Sequence, residues 1–239
     1  MAFGKGKPVE WRSSNFKVAF IATAVSLVVY LIAFCSPYWL QTYHTVPWDF
    51  KNMGLWEACF NKYYLRENPY IIEFDGCYWT FDIFFDFRRL PIFPGFFIMC
   101  QVFSVVVLIC LLTATLMMSS VFLRCSGEKN WTYWILSIVM CGVMTIAGLL
   151  LFAIIVTVGA KSGDRAWMPR ADLIWLSWGY AAACVSNIFA FGAAFFFGKE
   201  AKLFWGSKAP VSEMFGFPMF RQGDAAMEPP AETGSVFAY

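Results

Sequence analysis

Eight cysteines and a single histidine carry most of the reactive side chains in this 239-residue chain, and their positions sort them into different chemistries. Cys35, Cys100, Cys110, Cys141 and Cys184 lie in or at the edge of long apolar runs, where a thiol behaves as a small apolar residue. Cys125 follows "VFLR" at the end of one such run. A thiol at a membrane face is a candidate for reversible S-palmitoylation, against the plain reading of an unmodified thiol. Cys59 and Cys77 stand apart, in a long polar segment. Two thiols alone in one oxidised loop admit a single intrachain bridge; the other reading is a pair of free, exposed thiols. His44 has no metal-ligating partner at ligand spacing, and no nucleophile–base pair is evident. The sequence therefore implies no enzyme, no metal and no cofactor, and His44 reads as a sheet-surface residue. Asp49, Glu57, Glu73 and Asp75 share the same segment. They could line a path that favours cations, or form a solvated face.

What must position these residues is a membrane domain. The chain is 59% hydrophobic with a mean hydropathy of +0.58, and only 14% of it is charged, against about 25% in a soluble domain. No Asp, Glu, Lys or Arg occurs in residues 18–48, 90–123, 130–160 or 173–198. Each gap can hold one span of roughly 20 apolar residues, and none can hold two spans and a loop. Four transmembrane helices are predicted at about 18–36, 95–123, 134–158 and 173–197. The first apolar run is longer than a signal-peptide core, and no small-x-small cleavage site follows it, so that span is expected to be retained. Within the spans the strongly polar residues are Gln101 and Asn187. A conducting bundle normally keeps ionisable groups at mid-membrane, so a path through this one is not expected. Gly179, Ala183, Ser186, Ala190 and Ala194 form a small-residue stripe suited to close helix packing.

Charge sets the expected orientation. Basic residues lie in the arm 1–17, at Arg124 and Lys129, and at Lys199, Lys202 and Lys208, whereas the segment 37–94 holds seven acids and five bases. Loops rich in Lys and Arg stay in the cytoplasm. Both termini are thus expected inside, with outer loops at 37–94 and 159–172 and a largely disordered tail over 199–239. Asn130-Trp131-Thr132, the one formal glycan acceptor, then falls in a short cytoplasmic turn beyond the reach of the transferase. A net charge of +2 gives no ground for a nucleic-acid partner.

The first outer loop, about 58 residues, is too long to be an unstructured connection. Strand-forming runs at 38–46, 54–60, 70–74 and 77–81, separated by Pro47, Asn52, Gly54, Asn68-Pro69 and Asp75-Gly76, predict a small antiparallel sheet. A bridge between the second run and the last would staple a sheet too small to stand on burial alone.

Trp39, then Gly54-Leu55-Trp56, Cys59 and Cys77 in the first loop of a four-span chain, with Arg88-Arg89 just before the second span, resemble the claudin superfamily, including its peripheral myelin protein and channel-auxiliary branches. The resemblance covers roughly residues 15–200. It implies an all-α membrane bundle of four helices, left-handed, under an extracellular antiparallel β-sheet built mostly from the first loop with one strand from the second. In that fold the Gly-Leu-Trp segment lies where the sheet meets the helices. Leu55 and Trp56 supply apolar contact, Gly54 permits close approach, and Cys59 fixes the strand. Two features depart from the family pattern: seventeen residues separate the two cysteines, and the chain ends "SVFAY". They point to a divergent, invertebrate-type member.

By resemblance the protein is a junction protein at lateral cell–cell contacts in the plasma membrane. It would build a paracellular barrier of the tight or septate type through its outer loops, meeting other claudin-like or junction proteins in cis and in trans, among membrane lipids. The alternatives are an auxiliary subunit of a channel or receptor, and a tetraspan adhesion or trafficking protein. A cytoplasmic scaffold is a further candidate partner for the tail. The ending argues against capture by strand addition in a PDZ groove.

Overall fold

Each predicted span is apolar on every side, so no single face of a helix is marked out for burial by composition; packing decides it. A computed structural model of the protein describes residues 14–43, 50–64, 73–81, 94–123, 130–165, 167 and 171–206. Four long helices are present: α1 (Ser14–Cys35), α2 (Gly95–Leu123), α3 (Asn130–Ser162) and α4 (Trp178–Gly206). All four are long and apolar enough to cross a membrane. They ring in chain order, α1 touching α2 and α4, and α3 lying between α2 and α4. The interior holds Tyr30, Leu111, Met118, Met140, Met144, Leu151, Ile154 and Phe197. Ile21, Val102, Leu149 and Ile188 point away from it, as lipid-facing residues do.

Since lipid is as apolar as the interior, close packing and hydrogen bonds must hold the helices together. The small-residue stripe of α4 serves this end: Ala183, Ser186, Ala190 and Ala194 are buried, and α1 is a close neighbour. There Ser26 Oγ donates to the Ser186 carbonyl at 3.0 Å, and Ser186 Oγ donates to the Ser26 carbonyl at 2.9 Å. The Tyr30 hydroxyl donates to the Ser104 carbonyl of α2 at 2.8 Å. The Tyr180 hydroxyl of α4 donates to the Ile155 carbonyl of α3 at 3.1 Å.

At one end of the bundle sits a five-stranded antiparallel sheet. Its strands are β1 (Leu40–Thr42), β2 (Phe50–Met53), β3 (Glu57–Tyr64), β4 (Glu73–Trp79) and β5 (Ile174–Leu176), in the order β4-β3-β2-β1-β5. A second, smaller core of Leu40, Phe50, Met53, Ala58, Phe60, Phe97 and Trp167 joins the sheet to the start of α2 and to the second loop.

The element boundaries differ from the sequence expectations in instructive ways. The fourth helix begins at Trp178 rather than 173, because Ala171–Leu173 form a 3-10 turn and Ile174–Leu176 pair with Thr42–Leu40. Hydropathy cannot separate those apolar strand residues from a span. Helix α4 also continues to Gly206, into the expected tail, and α1 and α3 start at Ser14 and Asn130, four residues earlier than the apolar runs alone suggest. In the sheet, β2 is the unflagged "FKNM", and Gly54-Leu55-Trp56 form the turn before β3 rather than its first residues. Asp75-Gly76 does not divide two strands: Gly76 takes φ +109° inside β4 and the strand carries on. Only glycine adopts such a conformation cheaply.

Candidate functional site

The junction between bundle and sheet is built around the turn Ser36-Pro37-Tyr38, where the chain leaves α1. Ser36 N–H returns to the Ala33 carbonyl at 3.3 Å, and Ser36 Oγ accepts from Tyr38 N–H at 3.0 Å. The Trp39 indole N–H also donates to the Ala33 carbonyl, at 2.7 Å. This satisfies one of the carbonyls that a helix end leaves without an intrahelical partner. The Trp39 backbone then bridges both loops, its N–H to the Met53 carbonyl at 3.0 Å and its carbonyl from Ser177 N–H at 2.9 Å.

Two glycines press on this turn from opposite elements. A Cβ on Gly54 would collide with the Ser36 carbonyl oxygen and would sit 2.7 Å from the Pro37 Cα. A Cβ on Gly179 would sit 2.7 Å from the Tyr38 carbonyl oxygen and 2.8 Å from Ser36 Oγ. Gly179 N–H uses the approach to donate to the Tyr38 carbonyl at 2.9 Å.

The Gly-Leu-Trp turn is closed by Gly54 N–H donating to the Glu57 carbonyl at 2.8 Å, and the Trp56 carbonyl accepts from Thr80 N–H at 2.8 Å. Leu55 is fully buried in the helix core. Its carbonyl accepts from Gln101 Nε2 of α2 at 2.7 Å, and the same amide reaches Thr80 Oγ1 at 3.1 Å. The one strongly polar residue of the second span therefore ties down the turn and β4 together. Asn52 likewise donates to the Pro37 carbonyl at 2.9 Å. Gln101→Leu leaves a buried carbonyl and hydroxyl unpaired, at about 1–3 kcal/mol each. We expect a clear loss of apparent melting temperature in detergent with spans still inserted. An unchanged midpoint would show the amide to be dispensable.

Cys59 and Cys77 face each other across β3 and β4 and are bonded, with Cα atoms 4.0 Å apart. Glu57 is two residues before Cys59, and its carboxylate lies within 4.8 Å of both sulfurs. Sulfurs committed to a disulfide are not thiolates, so this trio is no metal site. Trp56 stacks against Phe34 at 5.0 Å and Phe81 at 6.1 Å, while its buried indole N–H has no acceptor among the described residues.

The fold thus brings together Trp39, Gly54, Leu55, Trp56, Cys59 and Cys77. Among the described residues it does not bring Glu57 to Asp75. Glu57 pairs with Trp79 at the bundle end of the hairpin, whereas Asp75 lies four residues further along β4, about 13 Å away at strand rise, and is exposed. Glu73 opens β4, further out still. Asp49, Arg88, Arg89, Cys125 and His44 fall outside the described residues. Sequence reasoning missed Ser36, Asn52 and Gly179 as parts of this junction, and singled out Gln101 only as a strongly polar residue within a span. A lone amide in a span was the available signal for Gln101; the others carried none.

No curated protein matches the chain. The family model described as PMP-22/EMP/MP20/Claudin tight junction matches residues 24–198, from within α1 to within α4. A match of that extent, on a fold with four spanning helices under one antiparallel sheet, establishes that this multi-pass membrane protein belongs to the PMP-22/EMP/MP20/claudin family.

Proposed function

We propose that the protein acts at lateral cell–cell junctions of the plasma membrane. Its sheet would face outward, both termini would lie in the cytoplasm, and it would assemble with other claudin-like proteins into a paracellular barrier of the tight or septate type. The observation that carries this reading is the clamped sheet. Strands from both loops are locked to each other, to α1, α2 and α4, and by a disulfide. Such a platform suits recognition by surface rather than catalysis. The disulfide favours the oxidising side of the membrane for the sheet. In the bundle, the polar groups of Ser26, Tyr30, Gln101 and Ser186 are spent on interhelical and sheet contacts, which supports a role outside the bundle. The separation of Glu57 from the exposed Asp75 favours a barrier over a charge-lined path.

The test is expression of the full chain in a polarised epithelium, with a new Asn-x-Thr acceptor placed in the 65–69 stretch. We expect a glycosidase-sensitive mass shift, a continuous lateral belt and raised transepithelial resistance. An unglycosylated loop would invert the topology and remove the proposal. Diffuse or punctate staining that co-isolates with a channel would favour the auxiliary-subunit reading instead.

A further inference from the structure

Where α1 meets the β3–β4 hairpin, a cavity of about 340 Å³ is lined by Cys35, Ser36, Pro37, Trp56, Glu57 and Trp79. That volume is at the small end of ligand sites, enough for a headgroup-sized ligand. Its chemistry is particular. Glu57 and Trp79 are directly opposed cross-strand partners, and Trp56 precedes Glu57 in the turn. Phe81 packs against both indoles, at 6.1 Å from Trp56 and 5.5 Å from Trp79. No cationic side chain among the described residues pairs with Glu57, the described ion pair being Lys161–Asp164 on another element. Two indoles beside a carboxylate attract a weakly hydrated cation, and aromatic faces suit a quaternary ammonium above all.

The cavity's place in the fold selects the source of that cation. Cys35 is the last residue of a spanning helix. Val28, Leu31, Ile32 and Cys35 are all exposed on α1 and fall at i, i+3, i+4 and i+7. That spacing is one continuous helical face. It runs from mid-span up to the cavity, so an acyl chain lying on it would bring its headgroup there. We propose that this cavity binds the trimethylammonium headgroup of a choline phospholipid whose chain lies along the exposed α1 face. The site requires only that the chain spans a membrane, and stands or falls separately from the junction reading.

The full-length protein, exchanged from detergent into nanodiscs of equal phosphatidylcholine and phosphatidylethanolamine, supplies the test. Phosphatidylethanolamine keeps the charge and phosphate but lacks the methyl groups. Native mass spectrometry of the released protein should show about fivefold preferential retention of the choline lipid, the scale of one cation–π contact. Trp79→Ala should bring that ratio close to one, whereas Glu57→Gln should lower retention of both lipids, since a carboxylate attracts either ammonium, with the Cys59–Cys77 bond intact on a non-reducing gel in both. Trp79 is 61% exposed, so its removal leaves the fold standing. Equal retention by the wild type, a preference unmoved by Trp79→Ala, or lipid retention unmoved by Glu57→Gln overturns the site. So would a Glu57-dependent carbodiimide crosslink to a lysine of a second copy, which would give the cage to a protein partner.

Discussion

Gly54→Ala should unseat the sheet from the bundle and leave little folded protein at the cell surface. The added methyl has nowhere to go: it meets the Ser36 carbonyl oxygen, with the Pro37 Cα at 2.7 Å and the Ser36 carbonyl carbon at 3.1 Å. All three are backbone atoms in a turn held by Pro37, so no rotamer change relieves the contact. Moving the Gly-Leu-Trp turn outward instead breaks the Trp56–Thr80 backbone bond, the Gln101 bond to Leu55 and the Asn52 bond to Pro37. Overpacking costs typically 1–3 kcal/mol where side chains can yield; here we expect about 3 kcal/mol or more. Gly142→Ala is the matched control, since a Cβ there meets nothing within 4 Å and alanine is the better helix former. Apparent melting temperature in detergent should fall sharply for the first variant and hold or rise for the second. Equal midpoints would show that the turn is free to move and that Gly54 is no steric keystone.

Removing the disulfide is the second large effect. The bond closes a loop with a sequence separation of 18 and joins the edge strand β4 to β3. Chain-entropy reasoning assigns such a loop about 3 kcal/mol, and loss of a native bridge from a small unit costs roughly 2–5 kcal/mol. Strand β4 is an edge strand whose sheet partner is β3, backed by the Thr80 bonds to Trp56 and Gln101. The double variant Cys59→Ser/Cys77→Ser should therefore lose β4 first and then surface delivery. The single variants should fare worse, since each leaves a thiol able to form intermolecular bridges. Surface biotinylation with non-reducing gels separates the two effects. Normal delivery and an unshifted midpoint in the double variant would show that the strand pairing holds without its staple.

Neither variant could have been ranked without the folded chain, although all three residues stood out beforehand. Cys59 and Cys77 were legible because location alone sets them apart from the thiols in apolar runs. Gly54 was legible only through its motif; what it touches, a carbonyl 18 residues earlier, was not. Gln101 shows the limit in the other direction. In the sequence it is a lone amide among apolar residues, with nothing to say what it bonds. In the structure it is the hydrogen-bond donor that joins α2 to the turn and β4.

The sequence by itself determined that the chain crosses the membrane four times, because the cost of burying charge in lipid excludes charged residues from whole spans and makes each gap countable. It singled out Cys59 and Cys77 for a similar reason, as the two thiols within the long polar segment, and the structure joins them. Tertiary structure alone decided which faces of α1, α2 and α3 are buried, that Ile174–Leu176 is a strand rather than a helix start, and that Gly54 and Gly179 grip one turn from two sides. The physical reason is shared. Helices that are apolar all round, without a small-residue stripe like that of α4, carry no pattern pointing inward, and short strands gain their stability from neighbours distant in the chain. Such facts exist only once the partners have met.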